Sequence, residues 1–381
     1  MIYCQYVYGI GHFVRAVELA RGLSARFEVY LVSGGEAVPN FDVPASVTII
    51  QLPAVYKNEA DNFLSPVDPS QSLEQCFQLR ETLLSQLVQS VEPDILITEH
   101  FPFGLLFEKE ATGLMQQVKR ANPAVKIVCS VRDIIESSKG GGNDSYTCEL
   151  INKWFDLVLV HGDKEFAPLA TSFPKVGSIT VPVVQTGYIT RRIYSENKSS
   201  SIPTILVSVA GGRLGLELLE AVTDSHLEVK ARINHRMILF SGAFQQDFDK
   251  QQRKVSSLSS NGITIQVFDR ERYLQALAGA SLVISLGGYN SIIESVSAGK
   301  SLLVYNRDFA GNNKEQDLRI RLFEQAGFLN VLTIEDLNNE KLSCTIINKL
   351  NSPEPTQDTI DVDGVKASCE RLASLLVEQS R

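Results

Sequence analysis

The sequence predicts an α/β protein built of two doubly wound domains. Short, nearly continuous apolar runs of strand length alternate with longer stretches whose apolar residues recur at helical spacing. That is the pattern of a parallel sheet covered on both faces. The alternation runs through the chain twice, interrupted by one polar, serine-rich segment. The length of 381 residues also suits two domains better than one.

The chain opens "MIYCQYVYGIGHFVRAVELARGLSARFEVYLVSGG". Residues 2–8 read as a strand. Val14, Val17, Leu19, Ala20 and Leu23 fall on a helix, and residues 27–33 form a second strand closed by Gly34 and Gly35. This βαβ unit implies a parallel, Rossmann-like sheet with right-handed crossovers. Residues 47–52 are strand-like, and residues 72–90 form a long amphipathic helix with Ser72 as N-cap. "PDILITEH" is a buried strand with a polar end, residues 108–120 are helical, and "KIVCSVRDI", "FDLVLVHGD" and "ITVPVVQTG" supply further strands.

Residues 189–203, "ITRRIYSENKSSSIP", are polar and end in proline, which marks a linker. The first domain is therefore placed at 1–190 and the second at 203–360. In the second, "TILVSVAGG", "RMILFSG", "ITIQVF", "SLVISLGG" and "SLLVYN" alternate with helices near 214–223, 247–258, 272–278, 291–298 and 316–326. A last helix, 365–378 within 361–381, is expected to pack back toward the first domain. Two such domains are expected to face each other across a cleft. Ligands of these folds bind outside the carboxyl ends of the strands, so the polar residues there are the candidates for chemistry.

Composition narrows the partners. A hydrophobic share of 44% and a charged share of 21% are those of a soluble globular chain. The formal charge of -8 argues against nucleic acid, which needs a basic footprint. It also argues against general adhesion to anionic lipid, although peripheral membrane contact through a local basic patch stays open. Six scattered cysteines with no C-x-x-C pair read as buried reduced thiols. No apolar stretch approaches the roughly 20 residues that span a bilayer, and the first residues lack the charged start of a leader. A cytoplasmic protein is expected.

Six strand ends carry the candidate chemistry. Gly287 and Gly288 leave a strand and enter a helix at Asn290 and Ser291. Bare backbone at a helix start suits a phosphate. Glu294, one turn in, can accept hydrogen bonds from vicinal ribose hydroxyls. "VSVAGGRLG" brings a second glycine loop, with Gly211, Gly212 and the cationic Arg213. For both loops a plain strand-to-helix turn is the competing structural reading. The backbone at Phe268 and Asp269 is placed to meet a nucleobase edge, against the alternative that Asp269 merely caps a helix.

In the first domain, "YGIGHFVRA" has the Gly9 and Gly11 spacing of a dinucleotide loop, but His12 stands in the turn and no acid follows the second strand at a ribose-binding position. NAD is disfavoured. A histidine at a helix start is instead a candidate general base, since its ordinary pKa lies near neutrality. "ITEHFPFG" adds Glu99 and His100, and "SVRDI" adds Arg132 and Asp133. Glu99 or Asp133 can orient His12 or His100, bind acceptor hydroxyls, or belong to a buried salt-bridge network. No Walker A, H-E-x-x-H or G-x-S-x-G motif occurs, and the D-x-D at Asp361-Val362-Asp363 lies in a tail loop. No metal site is expected.

The stretch "SLGGYNSIIESVSAGKSLLVYNRDFAGNNKEQDLRIRLFEQAG" (285–327) resembles the donor-binding block of GT-B glycosyltransferases of the MurG-like family 28 and related predicted glycosyltransferases. "GIGHFVRAVELARGL" resembles their N-terminal loop, histidine included. The resemblance covers nearly the whole chain. It implies transfer of a hexose-type sugar from a nucleotide-sugar to an acceptor hydroxyl, without metal and with inversion; the nucleotide-sugar is a co-substrate and no cofactor is implied. UDP is the default nucleotide as the commonest donor type. The resemblance puts residues 287–290 near the diphosphate, Glu294 on the ribose, Glu315 and Gln316 on the donor sugar, and Gly211, Gly212 and Arg213 on the phosphate side. His12 matches a position that in several relatives acts as base or approaches the reacting centre; Gly11, His100 and Arg132 fall on the acceptor side. Lys300 stands where relatives often have proline, and "EHFPFG" and "RDI" are unlike MurG. The acceptor, whether small molecule, lipid-linked or glycan, is therefore left open. A non-hydrolysing sugar-nucleotide epimerase and a non-catalytic nucleotide-sugar binder are the alternatives.

Overall fold

The structure is a computed structural model that describes residues 1–7, 9–39, 41–57, 63–135, 142–193, 202–209, 214–244, 248–307, 314–352 and 360–377. Backbone contacts divide the chain into two compact units. One comprises residues 1–37, 43–190 and 361–381, the other residues 38–42 and 191–360.

The first unit runs β1 (Ile2–Cys4), α1 (Gly11–Leu23), β2 (Val29–Ser33), β3 (Val47–Gln51), β4 (Val55–Lys57), β5 (Leu64–Pro66), α2 (Leu73–Val91), β6 (Ile95–Glu99), α3 (Glu108–Ala121), β7 (Lys126–Arg132), α4 (Gly142–Trp154), β8 (Leu157–His161) and β9 (Val183–Gln185). Its main sheet is parallel in the order β3-β2-β1-β6-β7-β8-β9, and β4 and β5 form a separate hairpin. The strands are apolar runs because both faces are covered: every residue of β6 and β8 is buried. Ser72 caps α2 in a capping box with Gln75, which satisfies two helix-end donors at once.

The second unit runs β10 (Thr204–Ser208), α5 (Leu216–Arg232), β11 (Arg236–Ser241), α6 (Phe248–Ser257), β12 (Ile263–Val267), α7 (Arg270–Gly279), β13 (Leu282–Leu286), α8 (Tyr289–Ser297), β14 (Ser301–Tyr305), α9 (Lys314–Gln325), β15 (Asn330–Leu332) and α10 (Asn339–Asn351). Its sheet is also parallel, in the order β12-β11-β10-β13-β14-β15. In each sheet the chain reverses its direction of growth once, between β1 and β6 and between β10 and β13. Such switch points open a crevice at the strand carboxyl ends.

The last helix, α11 (Gly364–Val377), belongs to the first unit and packs on α1. Gly22 makes room for it, since a Cβ there would collide with the Val365 side chain. Helix α5 is longer than its apolar pattern indicates. Ser225 and His226 lie buried on its core side, and these polar residues break the periodicity that marks the helix in sequence. Helices α4 and α10, and strand β15, carry patterns too polar or too short to be read from sequence. Most of the linker, residues 194–201, lies outside the described residues. Among the described residues no helix is long and apolar enough to cross a membrane.

Candidate functional site

In the first unit the chemistry gathers at the switch point. His12 is the second residue of α1, directly after β1, and Glu99 ends β6 next to it in the sheet. His12 Nδ1 lies 3.0 Å from Glu99 Oε1. The imidazole keeps 20% of its side-chain exposure while Glu99 keeps 1%, so a buried carboxylate holds a partly open ring. Arg15, one helical turn after His12, donates to the same Glu99 oxygen and is itself fully buried. The other oxygen, Oε2, accepts from Ser130 Oγ at 2.8 Å. Ser130 Oγ lies 2.9 Å from His161 Nε2, and His161 Nδ1 lies 2.9 Å from Thr186 Oγ1.

Of the two acids that the sequence offers beside His12, it is therefore Glu99 that takes the place. Asp133 is fully buried, with its Cβ packed against Gly162. His100 is half-buried. Its backbone is left-handed at φ 69°, a costly conformation for a residue with a Cβ. Its N–H donates to Ser130 O at 2.7 Å, and its ring lies 5.0 Å from the His12 ring. Gly104 leaves space for that ring. Gly11 is the exposed first residue of α1, and Arg132 ends β7 half-buried.

Burial favours neutral over charged groups and pushes the His12 imidazole below its ordinary value; the Glu99 hydrogen bond opposes this, and the Arg132 and Arg15 charges add to it. His100 is held well below the usual imidazole value by burial and then by the charges of His12 and Arg132. Burial alone would raise the Glu99 carboxyl. The Arg15 charge and the His12 hydrogen bond outweigh it and hold Glu99 well below the usual carboxylate range. Near neutral pH the cluster is thus an anionic carboxylate beside a neutral, partly open imidazole.

In the second unit, Gly288 caps α8 without a side chain, directly after β13. The two adjacent glycines have different reasons to be glycine. A Cβ on Gly287 would meet Ile320 Cδ1 of α9, whereas a Cβ on Gly288 would meet open space. Gly287 serves packing, and Gly288 leaves the space beside the helix start open. Asn290 is half-buried and Ser291 is buried in the first turn.

Glu294 is buried and forms a 2.7 Å ion pair with Arg270 Nη2, rather than standing open on the helix face. Burial, then the Glu294 charge, pushes the Tyr273 hydroxyl above the ordinary phenol range. Glu315 is also buried and paired, to Arg319 Nη2 at 2.6 Å one turn along α9. The Arg319 guanidinium lies 5.5 Å from the Tyr289 ring centroid. Gln316 is half-buried. The expectation that the Phe268 backbone meets a base edge needs correction on its donor side. Its N–H already donates to Ser241 O at 3.0 Å, and its ring is packed between Phe240 and Tyr273. Asp269 caps α7 by accepting from Arg272 N. Gly211, Gly212 and Arg213 lie outside the described residues.

Sequence reading passed over Arg15, Ser130, His161, Arg270 and Arg319. Arg15 was within reach, since three residues after His12 places it on the same helix face. Ser130, near the end of β7, and His161, the last residue of β8, need the sheet order to be seen.

The profile of the glycosyltransferase family 28 C-terminal domain matches residues 206–366. A UDP-N-acetylglucosamine–N-acetylmuramyl-(pentapeptide) pyrophosphoryl-undecaprenol N-acetylglucosamine transferase from Geobacillus kaustophilus (strain HTA426) is 30% identical over 105 residues, 28% of this chain and 29% of that enzyme. The crystal structure of Acinetobacter baumannii MurG superposes with a TM-score of 0.54 at 13% identity, covering 99% of both chains. The calicheamicin glycosyltransferase CalG4 gives 0.56 at 13% identity, over 99% of this chain and 94% of that one. Residues 206–366 are thus a glycosyltransferase family 28 C-terminal domain, in a chain with the MurG-like GT-B fold.

Proposed function

We propose that this protein transfers a hexose-type sugar from a nucleotide-sugar to an acceptor hydroxyl, with His12 as general base. The observation that carries this reading is the pairing of partly open His12 with buried Glu99 at a sheet switch point. The acceptor O–H gives its proton to His12 Nε2 as its oxygen attacks the anomeric carbon. The bond from that carbon to the diphosphate oxygen breaks, and its electron pair leaves with the nucleoside diphosphate. Attack opposite the leaving group inverts the anomeric centre. Glu99 stabilises the imidazolium that forms, through the Nδ1 hydrogen bond.

The start of α8, opened by Gly288, supplies the positive end of a helix dipole for the diphosphate. Glu294 offers the ribose its lone pairs not engaged by Arg270, and Glu315 and Gln316 address the sugar. No step in this scheme needs a metal. The donor named for the Geobacillus relative makes UDP-N-acetylglucosamine the first nucleotide-sugar to test.

The test is a panel of nucleotide-sugars and acceptors run with and without EDTA. Transfer is expected to persist in EDTA and to fall roughly 10²- to 10⁴-fold in kcat for His12→Ala with donor binding kept. Conversion of a nucleotide-sugar with no acceptor present would instead indicate an epimerase. Binding without turnover, indifferent to His12→Ala, would reduce the protein to a nucleotide-sugar binder.

A further inference from the structure

We propose that Thr186, His161 and Ser130 form a one-way hydrogen-bond chain onto Glu99, and act as positioning residues that hold His12 in the tautomer a base requires. This rests on the reading of His12 as the base. The chain is built from the ends of neighbouring strands. Glu99 of β6 lies opposite Ser130 of β7, and Arg132 lies opposite His161 of β8. His161 and Ser130 are therefore two residues apart along adjacent strands and on the same face.

The direction of each proton follows from counting donors. Ser130 Oγ has one hydrogen and two neighbours, Glu99 Oε2 at 2.8 Å and His161 Nε2 at 2.9 Å. Glu99 is a buried anionic acceptor, so it takes that hydrogen. Only a lone pair of Ser130 is then left to face Nε2, and Nε2 must carry a hydrogen to meet it. His161 is fully buried and neutral, because burial and the Arg15 charge lower its pKa to about 3. Its single ring hydrogen therefore sits on Nε2, and Nδ1 is an acceptor. Thr186 Oγ1 is 2.9 Å from Nδ1, nearer than its other acceptors, Gly187 O at 3.1 Å and Val160 O at 3.3 Å. The reverse tautomer would press two lone pairs together at 2.9 Å inside the core, which costs as much as leaving a buried group unpaired.

Glu99 Oε1 obeys the same rule. Arg15 only donates, and His12 Nδ1, 3.0 Å from Oε1 and 3.2 Å from Arg15 Nη2, gives its hydrogen to the nearer, anionic oxygen. His12 then presents an unprotonated Nε2. With donors on both oxygens, the Glu99 carboxylate cannot rotate away. Loss of the Ser130 hydroxyl frees one oxygen, and the carboxylate can turn out of line with His12.

Long-range ¹H–¹⁵N spectra of the ligand-free, ¹⁵N-histidine-labelled protein test the chain directly, since only five histidines contribute. His161 is expected as the Nε2–H tautomer and His12 as the Nδ1–H tautomer at neutral pH. In Ser130→Ala the His12 signals are expected to shift toward mixed tautomers, and kcat to fall on the order of tenfold with donor KM unchanged. His161→Gln places an amide N–H where Nε2–H stood and is expected to recover most of the rate. His161→Leu is not. An Nδ1–H tautomer at His161, or a His12 tautomer indifferent to Ser130→Ala, overturns the proposal. The spectra need no turnover. Correct tautomers in a protein with no transferase activity would overturn the glycosyltransferase reading and leave the chain standing.

Discussion

A carboxylate survives burial only beside a positive charge or several donors, and three buried acids of the candidate sites meet that condition with an arginine. Arg15 serves Glu99, Arg270 serves Glu294 and Arg319 serves Glu315. Glu294→Ala would take from buried Arg270 the carboxylate it pairs with. It is expected to lose about 3–5 kcal/mol of stability, read as a lowered midpoint in denaturant; an unchanged midpoint contradicts the pairing. Nucleotide affinity is therefore better tested with Glu294→Gln, which keeps the shape. Loss of a charged hydrogen bond to ribose is expected to weaken nucleoside diphosphate binding by roughly 1.5–3 kcal/mol. His12 gives a pH prediction. Burial and neighbouring cations disfavour its imidazolium, so it stays a neutral base to lower pH than a free histidine. The acid limb of kcat/KM is expected below the ordinary value of 6.5, and a limb above it would count against His12 as base.

Helix starts and helix contacts are where the glycines divide by role. Gly287→Ala drives a methyl group into Ile320 and is expected to cost about 1–3 kcal/mol of stability, as overpacking does. Gly288→Ala meets open space at φ -71°, a conformation alanine accepts. It is expected to leave the melting temperature unchanged and to weaken nucleoside diphosphate binding, checked by thermal melts and calorimetry. Equal effects of the two substitutions on binding would remove Gly288 from the site. At the other end of the chain, Gly22→Ala would collide with Val365. It is expected to loosen α11 from α1, seen as faster amide exchange across 364–377.

Across the whole molecule the five histidines act in one direction. His12, His100, His161, His226 and His235 all have lowered pKa values, with burial the largest cause. His161 falls to about 3 and His226 to about 4. The unfolded chain binds these protons near pH 6.5 and the folded chain does not. Stability is therefore full above about 6.5 and declines as pH falls toward 4, with His161 alone contributing up to about 1.4 kcal/mol per pH unit. Glu99 adds a loss below the ordinary carboxylate value of 4.5, as its lowered carboxyl begins to bind a proton in the unfolded chain first. Denaturant midpoints from pH 7 to 4 check this, and a flat profile contradicts it. Both units hold such histidines, so both are expected to weaken together.

Sequence alone determined the class of the fold and the ends of the strands where chemistry collects. Strands buried on both faces must be apolar runs, and α2 announces its start through Ser72 and Gln75. His12, Glu99 and the paired glycines were legible because each stands where an apolar run stops. Helix α5 was only half legible, because buried Ser225 and His226 interrupt its pattern. Only the tertiary structure decided which acid meets His12, which glycine is for packing, and which carboxylates are already held by arginine. Arg15 and Glu99 are 84 positions apart, and Ser130 and His161 are 31 apart. Their meeting depends on sheet order and register, which arise from long-range packing and leave no local period in the chain.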